Sequence, residues 1–368
     1  MKTTLRLLFL TLFIVPFAAP LAAELTPGTP APEFPSNAIW LGTHGHSISM
    51  KSMRGKVVIV DFWEYTCINC IRTFPHLKQW YRRYHDLGLD IIGVHKGEFA
   101  FASRAANVRR AYLRFKLPYP SIADVNDQVW MDYDCNTWPD TFLIDGKGII
   151  RYVHQGEGEY GGFEHEIQKL LEEGHPELDL SRFSIPPDHP LFGPQCGEES
   201  QETYIGYARG SLWGGEIANP QGFHPDEVVD YKSTSKRVTR GFFVEGEWRN
   251  EADDFEAVVA STPANPVKLG IDYKGRDVYA VLNRGASHPV TVTVLRDGKP
   301  IPKAMRGKDI RVDKDGKTYI EIDAPRMYYV VTKEDAGKHE LVFEPRSAGV
   351  RICSFTFGNR CLENFDRL

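Results

Sequence analysis

The stretch Val60-Asp61-Phe62-Trp63-Glu64-Tyr65-Thr66-Cys67-Ile68-Asn69-Cys70 decides how the first half of the chain folds. The apolar run Val57 to Phe62 has the length and β-branched content of a buried strand. It runs into a short turn, and the two cysteines open a segment with helical character up to about Arg83. This layout places Cys67 at a helix N-terminus, where unpaired backbone N–H groups and the macrodipole favour a thiolate. Two cysteines separated by two residues can close a disulfide across one helical turn and reopen it without moving the fold. So short a loop adds little chain-entropy stabilisation, which argues against a purely structural bridge. The chemistry implied is dithiol–disulfide exchange.

Outward from this motif, strands and helices alternate. Leu89–Val94 is a second apolar strand, and a helix carries Val108, Tyr112 and Phe115 on one face. Thr141–Ile144 and Ile149–His154 flank Asp145-Gly146-Lys147-Gly148, a strong hairpin signal. Phe163, Ile167, Leu170 and Leu171 form one face of a final helix, which Gly174 and Pro176 terminate. A βαβ unit followed by a hairpin and a helix is the order of an α/β thioredoxin fold, assigned to residues 24–175. Residues 176–200 form a proline-rich linker with Pro186-Pro187, Pro190 and Pro194. Helical periodicity then disappears. From about Arg237, β-rich runs recur: Gly241–Val244, Phe255–Ala260, Val278–Leu282, Val290–Leu295, Thr318–Ile322, Met327–Val331, Glu340–Phe343 and Val350–Phe357. Turns such as Arg296-Asp297-Gly298-Lys299 and Lys314-Asp315-Gly316-Lys317 separate them. This spacing predicts an all-β, jelly-roll-like sandwich over residues 201–368.

The 368 residues are enough for two or three domains with cores of their own. A formal charge of −5 gives no electrostatic case for nucleic acid, and 42% hydrophobic with 25% charged residues is ordinary globular composition. The N-terminus differs. Lys2 and Arg6 precede an apolar run from Leu7 to Val15, and Leu21-Ala22-Ala23 offers small residues at a cut site. Residues 1–23 therefore read as a secretory signal peptide, with an uncleaved anchor the lesser alternative. No cysteine follows the cut, so a lipid anchor is not indicated, and the expected location is the periplasm. All six cysteines, Cys67, Cys70, Cys135, Cys196, Cys353 and Cys361, lie beyond the signal, where an oxidising compartment permits disulfides.

Asp61-Phe62-Trp63 followed by Cys67-x-x-Cys70 resembles thioredoxin, and Arg54-Gly55-Lys56 before the strand resembles the TlpA/ResA branch of exported thioredoxin-like proteins. A narrower likeness is to the exported C-terminal region of DipZ-type proteins. It rests on Tyr65 to Thr73, Ile92-Gly93-Val94-His95 with Glu98-Phe99, Trp138-Pro139 with Leu143-Ile144-Asp145, Gly156 to Tyr160, and Ser354 to Gly358. The resemblance covers most of the chain beyond the signal. It implies an exported thiol-disulfide oxidoreductase, a β-sandwich like a carbohydrate-binding module, and protein thiol or disulfide substrates. It also implies a membrane electron donor of CcdA type; no such hydrophobic domain occurs in the sequence, so the exported part is expected to stand alone. An oxidising compartment and a TlpA-like scaffold suggest a reductant acting in cytochrome c or envelope-protein maturation.

Under this resemblance each supporting residue has a task. Cys67 is the nucleophile and Cys70 resolves the mixed disulfide. Asp61 stands where thioredoxins keep a buried carboxyl, ready to take the Cys70 proton. Pro75 matches their helix-kinking proline. Trp138-Pro139 is the candidate cis-proline loop that receives substrate backbone, and Trp63 packs beside it, in a substrate-facing or plain core role. Glu64 either tunes the cysteines or is a solvated turn residue, the latter preferred. The other four cysteines are most economically structural. Cys353–Cys361 and Cys135–Cys196 are one of three possible pairings, and a relay role for Cys135 is a minority option.

Competing chemistries are weaker. Zinc needs two more ligands than the CxxC supplies, and His76 and His85 lie on the same helix. Haem attachment needs histidine where Ile71 stands. Thr66, adjacent to Cys67, has the wrong spacing for a peroxidatic site. No metal and no cofactor beyond the Cys67–Cys70 disulfide is expected. The alternative function is a binding protein whose sandwich aromatics, among them Tyr204, Tyr207, Trp213, Trp248, Tyr328 and Tyr329, hold a carbohydrate or protein ligand.

Overall fold

The computed structural model describes residues 25–181, 183, 197–213, 215–332 and 337–359. The expected signal peptide, most of the expected linker, Cys196 and Cys361 lie outside the described residues.

The first part is a mixed sheet with helices on it. In chain order it comprises β1 (Ile39–Leu41), β2 (Val57–Trp63), α1 (Ile68–Tyr84), β3 (Leu89–His95), α2 (Ala105–Phe115), β4 (Ser121–Ala123), α3 (Gln128–Asp132), β5 (Asp140–Ile144), β6 (Ile150–Gln155) and α4 (Tyr160–Gly174). The six strands lie in the order β1-β4-β3-β2-β5-β6. β2 pairs in parallel with β3 and antiparallel with β5, and β5 with β6 is the expected hairpin. This is a thioredoxin-like fold with an added edge formed by β1 and β4. The sequence did not disclose these two strands, or α3, because segments of three to five residues are too short to show a period.

Every residue of β2 is buried, and alternate residues enter two different cores. Val57, Ile59 and Trp63 face a cluster built with α1, α2 and α4, whereas Val58, Val60 and Phe62 face one built with α3 and the N-terminal segment. The period of two of a pleated strand fixes this division. On the first face α1 and α4 lie side by side: Trp80 stacks on Phe163 with ring centroids 5.2 Å apart, and His76 on Tyr160 at 3.6 Å. After α4 the chain turns back, burying Leu180 and setting Phe183 edge-on to Tyr84 at 5.5 Å.

Among the described residues, the second part is an antiparallel all-β assembly of fourteen strands, apart from the parallel pairing of Glu216–Ile217. The eight expected runs all occur as strands. The long strand Gly241–Asn250 joins two sheets: its first half pairs with Lys268–Lys274, and its end with Phe255–Ala257. Gly246, at φ +82°, lies where one pairing gives way to the other. Both sheets contribute to one core, with Val244, Leu269, Val294 and Phe343 from one and Ala280, Leu282, Ile352 and Phe355 from the other. Strand Lys268–Lys274 was not foreseen, because Gly270 and flanking charges dilute its alternation. Phe243, its cross-strand partner, covers Gly270 so closely that a Cβ there would come within 2.1 Å of the ring. A short helix, Tyr207–Trp213, also occurs where no helical period was legible.

Several aromatics weighed as ligand contacts belong to packing instead. Trp248 and Tyr328 have 0% exposure inside the sandwich core. Tyr329 points the other way along the same strand, as strand geometry requires, and packs against the core shared with the first part. In that shared core Tyr279, Val281, Met327 and Cys353 lie with Ile68, Cys70 and Phe74 of α1. Polar contacts reinforce the junction. Arg72 of α1 donates to the Tyr279 hydroxyl at 3.1 Å and pairs with Glu157 at 3.3 Å. The Tyr204 hydroxyl donates to Glu98 at 2.6 Å, and Arg209 pairs with the same carboxylate.

Candidate active site

Cys67 is the N-cap of α1: its backbone is extended, and its Sγ accepts the Cys70 N–H at 3.4 Å. A sulfur in this position receives one of the orphan donors of the first helical turn, a contact that strengthens when the sulfur is ionised. Cys67 is half-buried, whereas Cys70 is 1% exposed. Burial, the neighbouring Cys67 sulfur and the Asp61 charge push the Cys70 thiol well above its ordinary value. The two sulfurs thus differ as an attacking and a resolving thiol must. Pro75 lies inside α1, which continues through it to Tyr84.

Asp61 follows the parity of Val57, Ile59 and Trp63, so it points to the α1 side of the sheet. The Thr141 hydroxyl, directly across on β5, donates to its Oδ1 at 3.1 Å. Its Oδ2 is buried without a hydrogen-bond partner. Burial raises this carboxyl from 3.8 to about 7, against the lowering effect of Thr141 and with a further push from Asp140. A carboxyl with that affinity, beside a thiol that must lose its proton, can receive it near neutral pH.

The Trp138–Pro139 peptide is cis. The Trp138 carbonyl lies 3.9 Å from Cys67 Sγ, and the Pro139 carbonyl accepts the Gly156 N–H at 2.8 Å. The Trp138 ring packs on Trp130 at 4.6 Å, with Lys96 Nζ 5.2 Å above it. Cys67, Cys70, Asp61 and this loop therefore meet in one place. Trp63 does not join them. At 0% exposure, edge-on to Phe74 at 5.4 Å and His95 at 4.7 Å, it has no surface to offer a substrate and belongs to the core.

Glu64 also departs from expectation. It is not a solvated turn residue: it is 0% exposed, and one carboxylate oxygen accepts both the N–H and the hydroxyl of Thr66. Its other oxygen lies 3.6 Å from His95 Nε2, and its backbone carbonyl accepts the Cys67 N–H at 3.3 Å. Glu64 thus ties the turn that carries Cys67 to the end of β3. The signal was present but faint: Trp63 and His95 are register partners on β2 and β3, so a polar residue just beyond Trp63 meets a histidine.

Among the described residues Cys67, Cys70, Cys135 and Cys353 are free thiols. Cys135 lies in the cluster on the opposite face of the sheet, with Phe62 and Phe142, which separates it from Cys70 and removes the geometric basis for a relay. Its proposed bridge to Cys196, and that of Cys353 to Cys361, involve residues outside those described. No group of three or more His, Cys, Asp and Glu placed to hold a metal occurs among the described residues.

Residues 27–153 match the AhpC/TSA family, and residues 200–358 match the thioredoxin-like C-terminal domain family. The chain is 33% identical to Protein DipZ of Mycobacterium tuberculosis over 338 residues, which cover 92% of this chain and 44% of that protein. It thus spans less than half the length of the DipZ proteins it matches. It is 31% identical to the thiol-disulfide oxidoreductase ResA of Geobacillus thermodenitrificans over 159 residues, 42% of this chain and 86% of ResA. A crystal structure of a thioredoxin-family thiol:disulfide interchange protein from Chlorobium tepidum matches at 22% identity and a TM-score of 0.34, covering 40% of this chain and 99% of that one. The chain belongs to the thioredoxin-like thiol-disulfide oxidoreductases of the ResA and DipZ type.

Proposed function

We propose that this oxidoreductase is exported and reduces disulfides of protein substrates through Cys67 and Cys70. The Cys67 thiolate attacks a substrate disulfide; a Cys67–substrate disulfide forms and one substrate thiolate leaves, taking up a proton. Cys70 then passes its proton to Asp61 and attacks Cys67 Sγ. The second substrate thiol is released, and the Cys67–Cys70 disulfide holds the oxidation. Two electrons have moved to the substrate, and a membrane donor of CcdA type restores the dithiol. The Trp138–Pro139 loop would hold the substrate backbone beside Cys67. The observation that carries this reading is the half-exposed Cys67 sulfur facing the Trp138 carbonyl while Cys70 and Asp61 are buried behind it.

Cys67→Ala is expected to abolish insulin reduction; unchanged reduction would transfer the function to the β part. Cys70→Ala is expected to accumulate mixed disulfides with substrates, and their identification names the targets. A potential near the thioredoxin value of about −270 mV fits a reductant, whereas one near about −120 mV refutes that direction. Export is supported by the charged and apolar pattern of residues 1–23, and no helix among the described residues is long and apolar enough to cross a membrane. N-terminal sequencing of the periplasmic protein is expected to begin at Glu24.

A further inference from the structure

A cleft of about 190 Å³ opens where α2 meets the sandwich turn that holds Pro325 and Arg326, and Tyr65 forms part of its wall. We propose that this cleft binds a carboxylate, either a free small acid or an acidic side chain of the substrate.

Two observations point to an anion. First, Arg110 and Arg114 line the cleft and stand one helical turn apart on α2, so their like charges face the same space. Second, neither forms an ion pair among the described residues, the Asp309 charge reaching Arg114 only at a distance. Arg110 donates only to the Asn107 side chain, and Arg114 lies over the Phe115 ring at 4.6 Å. The third arginine of the cleft, Arg326, pairs with Asp309 at 2.9 Å and with Asp323, the one carboxylate lining the cleft, at 3.3 Å, which leaves Arg110 and Arg114 as its unpaired charges. Tyr65, 1% exposed, also borders the cleft, and the Asn107 side chain lies beside its hydroxyl. Two guanidinium groups on one small cleft match the acceptor-only chemistry of a carboxylate. The location gives the site its purpose. Tyr65 belongs to the turn that carries Cys67, and its ring stacks on His95 at 5.2 Å, so an occupant is held next to the redox motif.

Two measurements test this. In the first, succinate is titrated calorimetrically into the full chain at fixed ionic strength; this needs no redox activity and is independent of the function proposed above. Wild type is expected to bind, and the Arg110→Gln/Arg114→Gln double variant to bind at least tenfold more weakly. Both arginines are exposed, so the substitutions do not threaten the core. In the second, which rests on the proposed reductase activity, kcat/KM is compared for two disulfide peptides differing only in Glu or Gln near the disulfide. A preference for Glu that vanishes in the double variant identifies the substrate as the source of the carboxylate. Succinate binding lost in the variant, with no peptide preference, identifies a free acid. Absence of both effects, or succinate binding unchanged by the double substitution, overturns the proposal.

Discussion

At the residue scale, the cysteine pair and Asp61 were legible because one contiguous run carries them and strand parity orients them. Asp61 also makes the sharpest pH prediction. Its folded value of about 7 stands above its ordinary 3.8, so the folded state holds that proton more tightly than the unfolded chain. Its contribution to stability therefore falls as pH rises from about 4 to about 7, and the full burial penalty applies above that. Asp61→Asn removes the penalty: urea melts are expected to show a gain on the order of 4 kcal/mol at pH 8 and none at pH 4. The same variant is expected to lose any inflection near pH 7 in the rate at which the mixed disulfide resolves. Glu64 was misread because nothing local announces its burial; that comes from β3 and the loop after it folding over the turn. Glu64→Ala leaves the Thr66 N–H and hydroxyl without their acceptor and is expected to cost about 1–3 kcal/mol in denaturant unfolding. Glu64→Gln keeps an acceptor oxygen and is expected to lose less.

At the scale of elements, strands and helices with a clear period were found close to their expected limits, while those relying on long-range pairing were not. β1 and β4 each have three residues and gain definition from one another and from β3. Strand Lys268–Lys274 depends on Phe243 to shield Gly270. The change of pairing partner along Gly241–Asn250 falls at Gly246, where a Cβ would approach the Pro266 carbonyl oxygen to 2.5 Å at a positive φ. Gly246→Ala is expected to destabilise the protein by more than about 1 kcal/mol, through both strain and collision. Gly298→Ala, also at positive φ but with open space around the Cβ, isolates the strain and is expected to cost less. Thermal midpoints of the two variants separate the contributions.

At the scale of the whole molecule, the redox helix belongs to a core that the sandwich completes. Arg72, five residues beyond Cys67, is buried against Tyr279 and Glu157, and its guanidinium lies 5.5 Å from the centroid of the Tyr279 ring. The sequence displayed Arg72 as part of the motif but gave no hint of a partner so distant along the chain. Arg72→Ala is expected to cost about 3–5 kcal/mol, the range for removing one member of a buried pair. Calorimetry is expected to give one joint transition for the parent and two for the variant, as the parts lose their junction.

The sandwich covers the buried face of α1, while Cys67 Sγ faces the Trp138 carbonyl of the cis-proline loop. If the proposed donor and acceptor both engage Cys67 at that loop, each must leave before the other can dock. Turnover then alternates between two half-reactions, and double-reciprocal plots at several donor concentrations are expected to run parallel.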